Sequence, residues 1–367
     1  MGEWKKVKIV DLASRITSGG TPLTKHLEYY GGNIPWLNTK EIKNCRIFET
    51  EKYITELGLN NSSAKLIDLN SVIVAMYGAT AGKIAINKIP LTTNQACCNI
   101  TIDDKKADYN FIYYLLLSSF ARLDSLTSGA AQQNLNVGLI SNLEILVPEL
   151  KEQKVIAEVL SSLDDKIDLL HRQNKTLEEM AQTLFRQWFI EEAKDEWEEC
   201  KLGDVLEIKY GKDHKKLNDG NIPLYGSGGI MRYVDSFLYD QESILIPRKG
   251  TLTNLFYLNE PFWTVDTLFW SKVNTEKVSG KFLFFFLKTM DLSNLNVGSA
   301  VPSLTTKVLN EIKFLLPSLD EQKQFNEYAD SAWEKMAKNK EQIKTLENMR
   351  DTLLPKLMSG EVRVKYD

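Results

Sequence analysis

Histidine and cysteine are scarce in this sequence, with three of the first and four of the second among 367 residues. His26, His171 and His214 share no helical or metal-ligand spacing. Cys45, Cys97, Cys98 and Cys200 form neither a zinc-type pair of pairs nor a disulfide ladder. The expectation is therefore no metal, and a reducing compartment. Long apolar runs are missing too: the densest, Phe282 to Leu287, is far shorter than the roughly 20 residues a membrane-spanning helix requires, and reads as core. Met1 to Val10 hold no apolar signal core, and Lys6 stands where a myristoylation motif needs Ser or Thr. The expected location is the cytoplasm. The segment from Gly78 to Lys83 looks like a P-loop but has three residues between its glycines where four are needed, and Ile84 where Ser or Thr would bind magnesium. No glycine-rich cofactor loop joins a strand to a helix, and no Asn-Pro-Pro-aromatic segment of the amino-methyltransferase kind is present. A non-catalytic chain without cofactor is expected.

The net charge of −4 seems to argue against a polyanionic partner, but its location matters more than its sign. Basic and acidic residues number 15 and 14 over residues 1–150, 7 and 11 over 151–197, 14 and 14 over 198–318, and 9 and 10 over 319–367. The acidic surplus falls on the two stretches with helical periodicity, leaving the globular segments near neutral and free to cluster basic groups on one face.

What the sequence has in abundance is itself. Gly129 matches Gly298, and the offset of 169 then holds without a gap for about sixty residues, to Phe189 and Met358. Within it Leu135 returns as Leu304, Pro148 as Pro317, Glu152-Gln153-Lys154 as Glu321-Gln322-Lys323, and Lys175-Thr176-Leu177-Glu178 as Lys344-Thr345-Leu346-Glu347. Earlier segments repeat loosely: Trp4 as Trp197, Asp11 as Asp204, Asn33-Ile34-Pro35 as Asn221-Ile222-Pro223, Ser71 as Ser243, Gly78 as Gly250 and Phe111 as Phe282. One part of the unit is held to strict length and register, and the other varies in loop length and residue type. A shared scaffold with divergent surfaces produces that contrast, and so does an old duplication that drifted unevenly.

The strict part contains a heptad series, Ile156, Leu160, Leu163, Ile167, Leu170, Asn174, Leu177, Ala181, Leu184 and Trp188, with Phe325, Ala329, Ala332, Met336, Asn339, Ile343, Leu346, Arg350, Leu353 and Leu357 in the second copy. Taking Glu152 to Phe189 as helical gives a rod of about 57 Å from a 1.5 Å rise per residue. Each narrow stripe needs a partner, and the simplest is the other helix, packed antiparallel. Asn174 and Asn339 interrupt the seam at non-equivalent positions, which is how an antiparallel pair would bring them face to face and set its register; otherwise they are solvated at the seam's edge. Leu353-Leu354-Pro355 predicts a kink or fraying near the second helix's end. The outer faces, with Asp164, Asp165, Asp168, Glu178 and Glu179, are candidates for docking a partner, or are solvated charge.

The expected fold class is α+β: two mixed α/β domains in tandem duplication, each followed by a long helix, the two helices pairing as an antiparallel coiled coil. The boundaries read as a first domain at 1–150, a long helix and linker at 151–196, a second domain at 197–318, a second long helix at 319–360 and a tail at 361–367. Both domains show short β-like runs punctuated by Gly and Pro, with an occasional helix such as Phe111 to Leu123. Their polar loops suit DNA, because Lys, Ser, Thr and backbone amides hold phosphates while Arg, Lys, Gln and Asn present the donor and acceptor pairs that distinguish base edges. The first domain's candidates are Ser18, Gly19, Thr21, Asn38, Lys40, Tyr77, Thr80, Lys83, Asn94, Gln95, Gln132 and Gln133. The second domain's are Lys212, Lys215, Lys216, Tyr225, Ser227, Arg248, Lys249 and Thr251. The pair Arg248-Lys249, which follows the apolar run Ile244-Leu245-Ile246, looks most like a base reader, or is a solvated turn.

The duplicated layout, the Pro-x-x-x-x-Gln-Lys lead into each helix and the ending Leu354-Pro355-Lys356-Leu357-Met358-Ser359-Gly360-Glu361 resemble specificity subunits of type I restriction and modification systems. Ser18-Gly19-Gly20-Thr21-Pro22, Ile34-Pro35-Trp36 and Pro223-Leu224-Tyr225-Gly226-Ser227-Gly228-Gly229 are similar to segments common in that family. The resemblance implies two target-recognition domains, each reading half of a split site in double-stranded DNA. It also implies helices that bind two methyltransferase subunits, with restriction and translocase subunits joining through the complex, and no membrane. The helix pair would then act as a ruler for the gap between half-sites. A scaffold used for assembly alone is the alternative.

Overall fold

The computed structural model describes residues 3–126, 135–249, 252–295 and 303–365, with the side chains of 121–126 left aside. The chain divides into two compact units, Met1–Asp168 with Ile343–Asp367, and Leu169–Gln342. Gln132, Gln133 and Thr251, and the first matched glycine pair, Gly129 and Gly298, lie outside the described residues.

In the first unit a five-stranded sheet runs in the order Ala13–Ser18, Cys97–Ile102, Val72–Ala75, Ile84–Asn87, Cys45–Ile47. A four-stranded sheet runs Lys52–Ile54, Tyr30–Leu37, Leu91–Thr93, Leu66–Ile67, and Lys5–Lys8 pairs with Glu144–Val147. The second unit repeats this plan: Leu206–Tyr210, Leu268–Val273, Ser243–Pro247, Phe256–Leu258 in one sheet, Gly229–Val234, Asp219–Gly226, Trp263–Thr264 in another, and Glu198–Lys201 beside Lys313–Leu316. The strands Val72–Ala75, Ile84–Asn87 and Ser243–Pro247 are buried along their whole length, which is why their sequences are mostly apolar rather than alternating, the buried Asn87 and Ser243 being hydrogen-bonded. Against them pack the helices Tyr109–Leu126 and Gly280–Lys288; the run from Phe282 to Leu287 is buried throughout, as core.

The repeated Pro-x-x-x-x-Gln has a structural reason. Gln153 Nε2 donates to Pro148 O at 3.0 Å while its Oε1 accepts the Asp108 backbone N–H at 3.0 Å; Gln322 does the same with Pro317 O at 2.9 Å and the Ser279 N–H at 2.7 Å. Both glutamines are buried, so each amide satisfies backbone groups that water cannot reach, and ties the start of a long helix to the start of the domain helix.

The first long helix spans Leu150–Arg186 and ends in a wider turn at Gln187–Glu191; the second spans Leu319–Met358. In the second unit Asn339 Nδ2 donates to Asn174 Oδ1 at 2.8 Å, and the rings of Phe185 and Phe325 lie 5.3 Å apart, so the partner number falls as the chain number rises and the two segments run antiparallel. The two asparagines meet, as the broken seam predicted. In the first unit Asp164 faces Arg350, and Ile156 and Leu160 share a core with Leu354 and Leu357.

The seam is not one stripe from end to end. Ile167, Leu170 and Ile343 are buried as expected, but Leu163, Leu177, Leu184, Met336, Leu346 and Leu353 are only half-buried, and buried positions outside the heptad series include Asp164, Phe185 and Phe189. Toward its ends each helix turns its core face from the other helix to a globular sheet-and-helix layer, and a one-residue shift of stripe follows. Helix is retained through Pro355 to Met358, where fraying or a kink was expected; Leu354, Leu357 and Met358 are buried in the first core, which offsets the backbone hydrogen bond proline cannot donate.

Glu321 opens the second long helix. Lys194 Nζ donates to it at 2.6 Å, Trp197 Nε1 at 3.1 Å and the Ser318 N–H at 2.9 Å. The Lys194 hydrogen bond and those from Ser318, against an opposing desolvation, hold its carboxyl down to about 2 from the ordinary 4.5. A depressed carboxylate contributes its stability in full above pH 4.5 and loses it as the pH falls toward 2. Glu321→Gln is therefore expected to lower stability in full above pH 4.5, with the deficit shrinking as the pH falls toward 2, so that the variant's stability varies less across that window; denaturation followed by circular dichroism at a series of pH values checks it.

Candidate nucleic-acid interface

Five backbone hydrogen bonds place the loops of the two units on a common frame. Gly20 N–H donates to Thr93 O at 2.8 Å, as Lys212 does to Thr264 O at 2.8 Å. Asn94 N–H donates to Leu37 O at 3.0 Å, as Val265 does to Tyr225 O at 3.1 Å; Met76 N–H reaches Ala96 O at 2.8 Å, as Arg248 reaches Thr267 O at 2.9 Å. Leu135 donates to Met76 O at 3.1 Å, as Leu304 does to Arg248 O at 3.0 Å, and Ile9 to Leu143 O at 3.2 Å, as Leu202 does to Ile312 O at 2.8 Å. The loosely repeating segments thus share backbone geometry where their sequences had diverged.

Glycine makes this convergence possible at one position in each unit. A Cβ on Gly19 would lie 2.2 Å from Thr93 O, and one on Gly211 would lie 2.0 Å from Val265 O, so only glycine lets the end of the outer strand touch the loop that follows the parallel pair. Gly19 is buried there and offers nothing to a ligand.

In the second unit the loops enclose an open cleft of about 900 Å³, lined among others by His214, Lys215, Ser227, Asp266 and Thr267. Lys215 lines it and is exposed, as are Lys212, Lys216 and Lys249 on the neighbouring stretches of chain, and Arg248 is half-buried. Tyr225 is not available to a ligand: it is buried against Phe256, where burial pushes its phenol up to about 12.

In the first unit Ser18, Tyr77 and Gln95 are exposed, and the Thr21 hydroxyl is bonded to Gln95 Oε1. Lys40 is exposed but paired with Glu51 at 2.6 Å, and Lys83 is half-buried. Asn38 caps the short turn Thr39–Glu41, and the Thr80 hydroxyl donates to Thr39 O at 2.8 Å, so both brace one loop against another. Asn94 is buried, with its Oδ1 accepting from Ala96 N and Cys97 Sγ at 3.2 Å each; it shapes the turn and is no base reader. The segment from Gly78 to Lys83 closes a turn that leads into the strand Ile84–Asn87, and no helix N-terminus stands there to hold a phosphate. Among the described residues no group of three or more His, Cys, Asp or Glu could hold a metal, and no helix is long and apolar enough to cross a membrane. Burial pushes the thiols of Cys97 and Cys98 up to about 12, leaving them as packing.

Of the acidic outer face expected on the first long helix, Asp164 is turned inward and most of the rest is paired. Asp164 is buried, bonded to Tyr114 Oη at 2.5 Å and Arg350 Nη1 at 2.9 Å, while Asp165 and Asp168 hold Arg46 at 2.5 and 3.2 Å. Glu178 is paired with Lys288, and Glu179 is exposed. Periodicity missed the two arginines' roles; the signal available was Arg350 itself, a charge on the seam opposite an acidic cluster.

The type I restriction modification DNA specificity domain description matches residues 1–179 and 194–348. The chain is similar to the MjaIX type I restriction enzyme specificity subunit of Methanocaldococcus jannaschii, 28% identical over 99% of this chain and 94% of that one. It is 26% identical to a putative type I specificity subunit of Mycoplasma genitalium over 82% of this chain and 84% of the relative. Among solved structures, the type I restriction-modification S subunit from M. genitalium superposes with a TM-score of 0.59 at 20% identity, covering 99% of this chain and 97% of that one, which is a likeness of fold. With its two matched segments falling on two copies of one loop-bearing scaffold, the chain belongs to the type I restriction modification DNA specificity domain family.

Proposed function

We propose that this chain is the DNA-sequence specificity subunit of a type I restriction-modification complex, each unit reading one half of a bipartite site and itself carrying out no chemistry. The observation that carries this reading is the shared backbone frame with different side chains at equivalent places: Met76 against Arg248 and Gln95 against Asp266. A scaffold that presents unlike donors and acceptors on a like frame suits an asymmetric split target. Methyltransferase partners would modify adenine, and restriction subunits would join them. For the methyltransferase we favour the exposed Leu169 and Met180 of the first long helix, three turns apart on one face, over its acidic residues, most of which are engaged.

The test is to map modified adenines in a host expressing the chain with its methyltransferase. A split motif is expected; assembly without sequence preference would overturn the reading in favour of a scaffold. A heptad inserted in each long helix is expected to lengthen the unread gap by about 3 base pairs, from a 1.5 Å rise per residue against 3.4 Å per base pair. An unchanged gap would refute the helix pair as ruler.

A further inference from the structure

We propose that Arg248 reads a guanine in the half-site bound by the second unit, an inference that rests on the function proposed above. Arg248 directly follows the fully buried strand Ser243–Pro247, and its backbone is pinned on both sides, its N–H to Thr267 O at 2.9 Å and its carbonyl to the Leu304 N–H at 3.0 Å. The side chain is held as well. Its guanidinium lies over the exposed ring of Tyr210 with the charge 5.2 Å from the ring centroid, and Nη1 donates to Asp266 O at 3.3 Å.

These contacts take one face of the guanidinium and one of its five N–H groups, and no carboxylate pairs with it among the described residues. What is left is an oriented edge with donors to spare beside the cleft that Asp266 and Thr267 line. Two parallel donors on a fixed plane match the O6 and N7 acceptors of guanine in the major groove; no other base edge offers two acceptors there. A phosphate anchor has no need of a fixed plane, and the exposed lysines around the cleft already serve that purpose.

The equivalent position in the first unit is Met76, which is buried, so the feature belongs to one half of the protein and predicts one determined position in one half-site.

The experiment maps adenine methylation by the complex carrying Arg248→Lys, Arg248→Ala, Tyr210→Leu or Lys249→Ala, with salt-dependent binding to the wild-type site measured beside it. The two Arg248 variants are expected to relax a single guanine position of one half-site, with discrimination there falling about 10- to 100-fold. Tyr210→Leu should produce a weaker relaxation at the same position, because it frees the plane without removing the donors. Lys249→Ala should weaken all sites alike. An unchanged motif, or a uniform loss of affinity from Arg248→Ala with the motif intact, would overturn the assignment. A wild-type complex that modifies no preferred sequence would instead sink the underlying function, and this inference with it. Retained methylation at the other half-site in the variants shows that they fold.

Discussion

Replacing Arg350 by Leu is expected to destabilise the first unit by about 3 to 5 kcal/mol, because it leaves the buried Asp164 carboxylate without its hydrogen-bonded cation, the Arg46 charge acting on it without such a bond. Arg350 Nη1 lies 2.9 Å from Asp164 Oδ1, and Tyr114 Oη donates to the other carboxylate oxygen. Burial, then the Asp164 charge, drives the Tyr114 phenol far up, so this hydroxyl stays a donor at any working pH. The second unit has run the complementary experiment on the same scaffold. By the repeat offsets, Trp333 stands where the first unit has Asp164, Phe285 where it has Tyr114, and Ala181 where it has Arg350. Trp333 and Phe285 stack with ring centroids 5.7 Å apart. An apolar filling of this place is therefore compatible with the fold, and the double variant Asp164→Leu with Arg350→Leu is expected to recover most of the single variant's loss. Urea denaturation of the single and double variants decides it: a double variant as unstable as Arg350→Leu alone would mean that the charges, and not the uncompensated burial of one, carry the effect.

Removing Lys212, Lys215, Lys216 and Lys249 together is expected to flatten the salt dependence of DNA binding by about 3 to 4 in the slope of log K against log salt, at about 0.9 per phosphate contact. At 0.1 M salt the same relation amounts to about tenfold in affinity per contact. All four are exposed, and Lys215 lines the cleft, whereas Lys40 in the first unit is already paired with Glu51. The modified sequence should not change, since phosphate contacts position a protein without reading bases. Filter binding across a salt series, with methylation mapping of the same variant, separates the two effects. A slope unchanged within one unit would show that the cleft does not face DNA.

The two units also differ in how they close one edge. The first adds the strand Cys45–Ile47 beside Ile84–Asn87, and Arg46 from that strand clamps Asp165 and Asp168 on the long helix. The second stops at Phe256–Leu258 and fills the neighbouring space with Tyr257, Phe284 and Trp333, whose rings contact one another. Length variation between the copies is concentrated in such segments, which is why their offsets drift while the helices keep theirs.

Sequence alone determined the duplication, the two long helices and their antiparallel pairing through Asn174 and Asn339. It did so because a 3.5-residue apolar period and a constant offset are local regularities that no distant contact has to supply. It also carried the family, through short segments around tight turns and through the glutamines that tie each helix to its domain. Tertiary structure decided which polar residues stand exposed on the loops and which are braces. Asn94 and Asp164 look like surface groups in sequence, yet both are buried, because their partners stand outside any window of pattern: Leu37 accepts the Asn94 N–H across 57 positions, and Arg350 meets Asp164 across 186. It also decided that Tyr225 is core and that Arg248 is held on Tyr210, since burial and stacking depend on where a sheet places its loops. Periodicity reports which face of an element is apolar; only the packed molecule determines what that face, and each polar group beside it, finally meets.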